Sequence, residues 1–381
     1  MVLLAVIYLS FISLGLPDSL LGSAWPVMQP MFGVPISSMG IVTMVISGAT
    51  ILSSLFAARL TARFGTGKVT LISVFLTAVA LFGFSTASQF WTLCVWAVPY
   101  GLGAGAIDAA LNNYVALHFT SRHMSWLHCF WGVGTIVSPY IMSYALRHTR
   151  WQDGYRTVSL IQAGIVAVLL LTITLWKKDK GEEESVTALS LKDVLKIRGV
   201  PTLLTGFFCY CAAESTVMLW ASSYLVHVRG VSEERAAAFA SLFFIGITAG
   251  RFLAGFVSEK LGDRNLIRLG TCIIAAGIVC VLLPLKTDFF ALAGFVVIGF
   301  GCAPIYPSII HATPSNFGEK NSQSIIGIQM ASAYVGSTFM PPLFGLLAQY
   351  VDMRLLPIYL AVFFTAMIFL VEKTFRTVKE H

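Results

Sequence analysis

Charged side chains are scarce in this chain. They make up 11% of its 381 residues, whereas hydrophobic residues make up 57%. A soluble globular protein carries roughly 25% charged residues, so this chain has less than half of what a water-facing surface requires. The shortage excludes a disordered chain and an ordinary soluble domain, and it predicts a protein whose surface faces lipid.

Patterns that mark enzymes, disulfide frameworks and metal sites are also missing. The seven cysteines fall almost wholly within apolar runs and form no C-x-x-C pair, so we interpret them as small hydrophobic residues. The sequence has no Walker loop, no HExxH, no GxSxG and no glycine fingerprint that follows a strand. We therefore predict that the protein is not an enzyme, holds no metal and uses no cofactor. The net charge of +7 is assigned to basic loops rather than to a nucleic-acid partner.

Long apolar runs account for most of the chain. A membrane-spanning helix needs about 20 apolar residues, and twelve runs of suitable length are present. They cover residues 2–26, 36–58, 69–87, 91–117, 125–146, 157–176, 200–227, 236–258, 266–285, 289–312, 322–350 and 355–372. The sequence predicts an all-α membrane protein with twelve transmembrane helices.

One long polar stretch, Lys177–Arg198, interrupts this pattern. It predicts three parts: an N-terminal six-helix half at 1–176, a central loop at 177–199 and a C-terminal six-helix half at 200–381. Within the loop, the segment LKDVLKI predicts a short amphipathic surface helix.

Lysine and arginine are distributed unevenly between alternate loops. Of the 25 such residues, 17 fall in the central loop, the tail and the loops on that side, 7 fall on the other side, and Arg251 lies in a predicted helix. The positive-inside rule then places both termini and the central loop in the cytoplasm. We expect a monomeric, multi-pass protein of a bacterial inner membrane or plasma membrane, with the lipid bilayer as its surroundings.

The two halves resemble each other at an offset of about 197 residues. AARLTARFGTGK (57–68) aligns with AGFVSEKLGDRN (254–265), which places Gly65 on Gly262. YGLGAGAIDAALNN (100–113) aligns with IGFGCAPIYPSIIH (298–311), which places Gly101 and Gly103 on Gly299 and Gly301. A six-plus-six parallel repeat is the layout of secondary transporters whose site lies near the bilayer midplane.

The first pair of aligned segments resembles the signature G-x-x-x-D-R-x-G-R-R of the major facilitator superfamily, whose charges latch helix ends together. The second copy, from Gly255 to Arg264, keeps the pattern well, whereas the first has Ala58 and Ala62 in place of its glycine and acid. The resemblance implies the major facilitator fold with two pseudo-symmetric halves. It also implies a cytoplasmic latch, to which we assign Arg63, Arg251, Glu259, Asp263 and Arg264.

Three acidic residues fall deep within predicted helices: Asp18, Asp108 and Glu214. An ionised carboxylate at the centre of a membrane helix costs about 2.5–3.5 kcal/mol, so such residues are typically functional. We predict that all three take part in proton coupling. The alternative for each is a structural hydrogen bond or an interhelical pair.

Asp108 has the most suggestive surroundings. Gly101, Gly105, Asp108 and Asn112 recur at helical spacing, so one helix face combines close-packing glycines with an acid and an amide. A desolvated carboxyl that can be neutral or charged near pH 7 is what proton coupling requires. We expect Asp108 to be the main proton carrier and Asp18, between Pro17 and Pro26, to be its partner.

These two helices sharpen the resemblance. An acid in helix 1 and acid-x-x-x-Asn after Gly-x-Gly in helix 4 resemble the fucose, galactose and glucose–proton symporter branch of the superfamily, in which these acids carry coupling and sugar contact. They correspond to Asp18 and Asp108, followed by Asn112. The chain has Asp where the proton symporters of that branch have Glu in helix 4, so a sodium ion remains an alternative to the proton.

Polar and aromatic residues in other predicted helices are candidate substrate ligands, because indoles, amides and hydroxyls suit a neutral hydroxylated solute. They are Asn112, Asn113, His128, Trp25, Trp131, Trp220, Tyr306, His311, Gln323 and Gln329. Simple packing between helices is the alternative for each of them.

The prediction that follows is a secondary active transporter. We expect it to import a neutral small solute, a hexose or related sugar, by proton symport with alternating access. The alternatives are a proton-coupled antiporter exporting drug-like or lipophilic compounds, a sodium-coupled sugar symporter, and a receptor or scaffold that transports nothing.

Overall fold

The structure is a computed structural model that describes residues 2–35, 38–176, 189–231, 233–283 and 288–379. Within these ranges every long element is an α-helix. We number them α1 (Val2–Gly15), α2 (Leu20–Phe32), α3 (Met39–Phe64), α4 (Thr66–Ser85), α5 (Phe90–His118), α6 (Ser121–His148), α7 (Trp151–Leu171), α8 (Leu191–Lys196), α9 (Val200–Arg229), α10 (Glu233–Leu282), α11 (Phe289–Cys302), α12 (Ile305–Phe317), α13 (Glu319–Leu347) and α14 (Leu356–Lys379). The predicted all-α class is confirmed.

Twelve membrane spans can be counted in this set. Ten continuous helical segments are long and apolar enough to cross a membrane, and two of them contain two spans each. The 50 residues of α10 would measure about 75 Å as one straight helix, against a hydrocarbon core of about 30 Å, and α10 is interrupted at Gly262. Helices α13 and α14 form the other segment, with short π and 3₁₀ turns between them.

Two compact units make up the chain. The first contains residues 1–114 and 127–189, and the second contains residues 115–126 and 190–381. Residues 115–126 therefore group with the second unit, although the sequence placed them in the first half. The predicted three-part division at 177–199 remains a prediction, since residues 177–188 of that loop lie outside the described residues.

The short surface helix predicted in the central loop is confirmed as α8, Leu191–Lys196. Ser190 precedes it as the N-cap, and its side chain accepts a hydrogen bond from the backbone N–H of Asp193 at 3.3 Å. The Ser190 hydroxyl also lies 2.6 Å from Oδ2 of Asp193. This hydrogen bond, with Lys196 one turn later, holds the pKa of the Asp193 carboxyl below its usual value.

The internal repeat is visible in the backbone. Gly65, between α3 and α4, has φ 79° and ψ 154°. Gly262, which the alignment pairs with it, has φ 72° and ψ 161°. Residues other than glycine rarely adopt this backbone conformation. Both halves therefore use a glycine to turn from one span into the next.

The glycines of the second aligned pair also occupy equivalent places. A Cβ at Gly101 would overlap the carbonyl oxygen of Ile46 in α3, and one at Gly299 would lie 2.7 Å from the ring of Phe243 in α10. A Cβ at Gly103 would lie 2.6 Å from the carbonyl oxygen of Ser73 in α4, and one at Gly301 would lie 2.7 Å from that of Gly270 in α10. Ile46 and Phe243 are 197 positions apart, and so are Ser73 and Gly270. The close packing is therefore repeated together with the sequence.

Candidate transport site

Asp18 lies in a break between two helices. Helix α1 ends at Gly15 and α2 begins at Leu20. Pro17 has no backbone N–H to continue the helical ladder. Ser19 ties the turn to α6, because its hydroxyl donates a hydrogen bond to the carbonyl oxygen of Thr135 at 3.0 Å.

Both carboxylate oxygens of Asp18 accept a hydrogen bond from an aromatic side chain. The Tyr100 hydroxyl, on α5, donates to Oδ1 at 2.9 Å. The Trp131 indole Nε1, on α6, donates to Oδ2 at 2.9 Å. Asp18 is nonetheless solvent-accessible, whereas Tyr100 is buried. The carboxylate is thus held in position by two donors and still open to exchange.

A cavity of about 180 Å³ lies beside Asp18 within the first unit. Its polar lining comes from Asp18, Thr43, Ser47, Tyr100 and Tyr155, and the rest of the lining is apolar. Helices α3, α5 and α7 therefore meet the α1–α2 break around one small space that contains a carboxylate and several hydroxyls.

Asp108 belongs to a separate, buried hydrogen-bonded chain. Asn112, one turn later on α5, donates from Nδ2 to Oδ1 of Asp108 at 2.8 Å. The Oδ1 of Asn112 lies 3.0 Å from Nε2 of His128 on α6. Asp108 is 4% exposed, Asn112 is fully buried and His128 is 4% exposed. The predicted acid–amide pair is therefore joined by the predicted histidine.

The direction of this chain follows from the donors. Because the Asn112 amide nitrogen donates to Asp108, its oxygen faces His128, and an amide oxygen can only accept. His128 must then carry a hydrogen on Nε2. The edge-to-face packing of Phe11 against the imidazole, with ring centroids 5.4 Å apart, fixes the ring in this arrangement.

The glycines that precede Asp108 face a different neighbour. A Cβ at Gly105 would overlap the carbonyl oxygen of Thr50 in α3, and the Ser54 hydroxyl donates to the carbonyl oxygen of Gly105 at 3.2 Å. Helix α5 therefore packs Gly101 and Gly105 against α3, and it connects Asp108 to α6 through Asn112.

Two predicted ligands of the first unit are buried. Asn113 is 5% exposed and Trp25 is 3% exposed. Trp25 packs edge-on against Phe90 within the apolar core, with centroids 6.4 Å apart. A role in packing explains the position of Trp25.

Glu214 lies in the second unit with a buried arginine. The Tyr210 hydroxyl lies 2.8 Å from Oε1 of Glu214 and 2.8 Å from the carbonyl oxygen of Cys302. Arg251 Nη2 lies 3.6 Å from the same Oε1, and both charged side chains are buried. The assignment of Arg251 to the latch is thus corrected: its guanidinium sits inside the second unit, where Glu214 offsets its charge.

A second correction concerns His311, which was predicted as a substrate ligand. Its Nδ1 lies 2.7 Å from Oδ2 of Asp263, and its Nε2 lies 3.2 Å from the carbonyl oxygen of Phe119. The Ser121 hydroxyl donates to the other Asp263 oxygen at 2.7 Å. His311 therefore belongs with the predicted latch residue Asp263, because the carboxylate and the carbonyl draw both ring nitrogens to that end of the unit.

Of the other predicted latch residues, Glu259 and Arg264 form ion pairs with residues that were not predicted. Arg122 Nη2 donates to Oε2 of Glu259 at 2.7 Å. Arg264 Nη2 donates at 2.6 Å to Oε2 of Glu372, which lies on α14. Arg63 is exposed in the first unit, with its guanidinium 5.3 Å from the ring of its neighbour Phe64.

The remaining candidates of the second unit serve different contacts. Tyr306 packs on Phe207 with centroids 4.8 Å apart, and Gln329 accepts from the Thr313 hydroxyl at 3.1 Å. Trp220 donates from its indole to the carbonyl oxygen of Pro341 at 2.9 Å, which gives it a structural role. Gln323, in contrast, is buried at both amide atoms with no hydrogen-bond partner among the described residues.

The tyrosines that partner the acids were not predicted from the sequence. Tyr100 and Tyr210 are far from obvious because tyrosine is common in membrane helices as an interface anchor. For Tyr210 a signal was available, since it lies four residues before Glu214 and thus on the same helix face. Tyr100 is 82 residues from Asp18, and no local pattern connects them.

The class of protein follows from a family match over most of the chain. The model of the Major Facilitator Superfamily matches residues 7–241 and 203–380. The chain belongs to the major facilitator superfamily. The expectation of a transporter rather than an enzyme is confirmed with it.

Solved structures of superfamily members match over almost the whole chain. FucP, a superfamily transporter in the outward conformation, has a TM-score of 0.80 at 15% identity and covers 97% of this chain and 98% of that one. The proton:xylose symporter XylE, bound to 6-bromo-6-deoxy-D-glucose, has a TM-score of 0.78 at 14% identity, with 97% and 95% covered. These matches confirm the fold.

Curated superfamily relatives are similar at low identity. The glucose/mannose transporter GlcP of Bacillus subtilis is 21% identical over 89% of this chain and 86% of that protein. Multidrug resistance protein 2 of the same organism is 22% identical over 91% of this chain and 88% of that protein. The two relatives differ in their solutes, so the substrate must be argued from the site.

Proposed function

We propose that this superfamily transporter imports a neutral hexose or a related sugar together with a proton. The observation that carries the proposal is Asp18. Its carboxylate is solvent-accessible and is oriented by Tyr100 and Trp131 at 2.9 Å each. Tyr100 lies on α5, the helix that also carries the buried acid Asp108.

The chemistry around Asp18 suits a sugar. A carboxylate oxygen accepts hydrogen bonds from sugar hydroxyls, and an aromatic face packs against the apolar C–H face of a pyranose ring. Trp131 is half-buried, so its indole ring retains surface for such a contact while its N–H holds Asp18.

A neutral solute fits the charges better than an anion does. Arg251, a buried arginine of the second unit, lies 3.6 Å from Glu214. An ionised Glu214 offsets the charge of Arg251. Binding a phosphate or a dicarboxylate at Arg251 would require this pair to separate.

Proton coupling is assigned to the acids of the first unit. Asp108 is 4% exposed and hydrogen-bonded to Asn112, and an ionised carboxylate is costly at such a position. We assign the coupled proton to Asp108, with Asp18 as its partner and Glu214 as a third candidate. Protonation would accompany solute binding, and alternating access would release both on the other side.

Reconstituted protein tests the proposal. Proteoliposomes with an imposed proton gradient should accumulate a labelled hexose, and sugar addition without a gradient should alkalinise the outer medium. Asp18→Asn should abolish binding or accumulation, whereas Asp153→Asn, which changes a partly exposed acid paired with Arg150 and Arg156, should not.

The rival functions give different outcomes in the same vesicles. A drug exporter would show gradient-driven efflux of a lipophilic dye and no sugar uptake. A sodium symporter would accumulate sugar with a sodium gradient at equal pH. A protein that moves none of these solutes, while it remains folded, would contradict the proposal.

A further inference from the structure

Tyr155 is a buried residue that the proposed function does not use. It lies near the start of α7, is 2% exposed and lines the cavity beside Asp18. Its hydroxyl has no hydrogen-bond partner among the described residues. Its ring is fixed by stacking on Phe84, with centroids 5.4 Å apart, and by an edge contact with Trp151.

An unpartnered buried hydroxyl is costly unless water satisfies it. The cavity of about 180 Å³ gives water the room. A buried water needs roughly 10–15 Å³ of such space, so the cavity has room for several. Thr43, Ser47 and Tyr100 supply further polar partners in the same lining, and a buried water typically needs two to four.

We propose that this cavity is a water-filled chamber through which Asp18 exchanges its proton, and that Tyr155 positions the chamber water. The proposal rests on the proposed proton coupling and names the route to one of its acids. The route lies inside the first unit, between the α1–α2 break and helices α3, α4, α5 and α7.

The proton step is a transfer between oxygen atoms. A hydronium ion in the chamber loses one O–H bond and becomes water, and one O–H bond forms on the Asp18 carboxylate, which becomes neutral. Tyr155 keeps its own proton throughout. It donates to a water, or accepts from one, and so holds that water in line with Asp18.

The charges around the chamber allow this exchange. The titratable groups in its lining are Asp18, Tyr100 on α5 and Tyr155 on α7, and the described lining contains no lysine, arginine or histidine. Trp131, on α6, contacts Asp18 from outside the lining with a neutral N–H. A proton entering the chamber therefore meets one acceptor, the Asp18 carboxylate, without an opposing cation.

The test follows Asp18 itself rather than transport. Purified protein in lipid nanodiscs is subjected to a rapid pH jump, and the carboxylic C=O infrared band of Asp18 is followed in time. The band is assigned by its loss in Asp18→Asn. Tyr155→Phe keeps the ring and its stacking but removes the hydroxyl, so protonation should slow about fivefold, as expected when one hydrogen bond to the relay water is lost.

Two further variants serve as controls, one that fills the chamber and one that changes a tyrosine outside it. Ser47→Leu places side-chain volume in the chamber and should slow protonation more than Tyr155→Phe does. Tyr140→Phe removes the hydroxyl of a tyrosine that is 74% exposed and outside the chamber lining, and it should leave the rate unchanged. Thermal unfolding of each variant verifies that it is folded.

Equal protonation rates in the wild type and folded Tyr155→Phe would overturn the proposal. A lower protonation of Asp18 when sodium chloride replaces choline chloride at constant ionic strength would also overturn the proposal, because a metal cation would then occupy the chamber. The assay contains no sugar. If the wild type transports no sugar while Tyr155→Phe still slows protonation of Asp18, the proposed substrate is rejected and the proposal of the chamber stands.

Discussion

The indole of Trp131 donates a hydrogen bond to Oδ2 of Asp18 at 2.9 Å, across 113 residues of sequence. Three positions earlier on the same helix, His128 contacts the amide that binds Asp108. Residues three apart lie on one helix face. A single face of α6 thus contacts both the accessible acid and the buried chain, and any movement of α6 would act on both.

The first prediction concerns Asp108. Asp108→Asn mimics the permanently protonated acid at nearly constant volume, so uphill accumulation should be abolished. Equilibrium exchange should persist, because exchange does not require the empty carrier to return deprotonated. Accumulation and counterflow of labelled sugar in one proteoliposome preparation measure the two properties.

The matched control is Asp153→Asn, which should keep both activities. If Asp108 only joined helices, an asparagine would still hydrogen-bond to Asn112 and proton-driven accumulation would survive. That outcome would move the coupling role to Asp18 or Glu214.

The second prediction concerns the buried pair of Arg251 and Glu214. Glu214→Gln removes one charge and leaves the other buried, so it should destabilise the protein by about 3–5 kcal/mol. The double variant Glu214→Gln with Arg251→Met removes both charges and should cost less than Glu214→Gln alone. Thermal or chemical unfolding of purified protein in detergent measures the difference.

A partly exposed pair serves as the comparison. Arg150 and Asp153 lie 3.4 Å apart with side chains 62% and 32% exposed, and loss of such a pair costs about 0–1 kcal/mol. Strictly additive costs in the double variant would contradict coupling between Arg251 and Glu214.

The third prediction concerns helix packing at Gly105. Gly105→Ala adds a methyl group where the carbonyl oxygen of Thr50 already lies. The helices must separate, and overpacking of this kind costs about 1–3 kcal/mol. The unfolding temperature should fall accordingly.

Gly48→Ala is the control for this change, because nothing lies within 4 Å of the Cβ that it adds on α3. It should be neutral or stabilise by up to about 1 kcal/mol through its helix propensity. Equal stability of the two alanine variants would show that α5 does not depend on the close approach to α3.

The fourth prediction concerns orientation. The uneven distribution of lysine and arginine places the central loop in the cytoplasm. Ser185→Cys should therefore resist a membrane-impermeant thiol reagent in intact cells and react after permeabilisation. Ser88→Cys, in the loop between α4 and α5, should react in intact cells, and the unsubstituted protein gives the background of its native cysteines. The reverse pattern would invert the topology.

Sequence patterns were sufficient for several local features. Gly65 and Gly262 were paired by alignment, and both have the positive φ that permits the turn. The segment at 191–196 was predicted as a helix and is one. Asp108 and Asn112 are one turn apart and hydrogen-bonded, as their spacing implied. Each of these depends on contacts within a few residues of one helix, or on a repeat that copies them.

Contacts between helices were beyond the sequence. Arg251 was predicted in the latch and His311 as a substrate ligand, whereas Arg251 lies beside Glu214 and His311 beside Asp263. Hydropathy gives the depth of a residue along a span but not the helix that it faces. The partners Asp263 and Glu214 are separated from them by 48 and 37 positions. Likewise, no sequence pattern predicts that Tyr100 and Tyr155 lie near Asp18, because they meet it only through the packing of helices in the first unit.

The sequence by itself determined that this chain crosses the membrane twelve times as a repeated six-helix unit, and that three acids lie at costly depth. Length, apolar runs and internal similarity are properties of the linear chain, and the bilayer converts them directly into spans. Only the tertiary structure decided what each acid contacts. Asp18 is accessible beside a cavity, Asp108 lies in a buried chain with His128, and Glu214 pairs with Arg251. These differences arise because the rotation and packing of each helix are set by its neighbours, and they give the three similar carboxyl groups different surroundings.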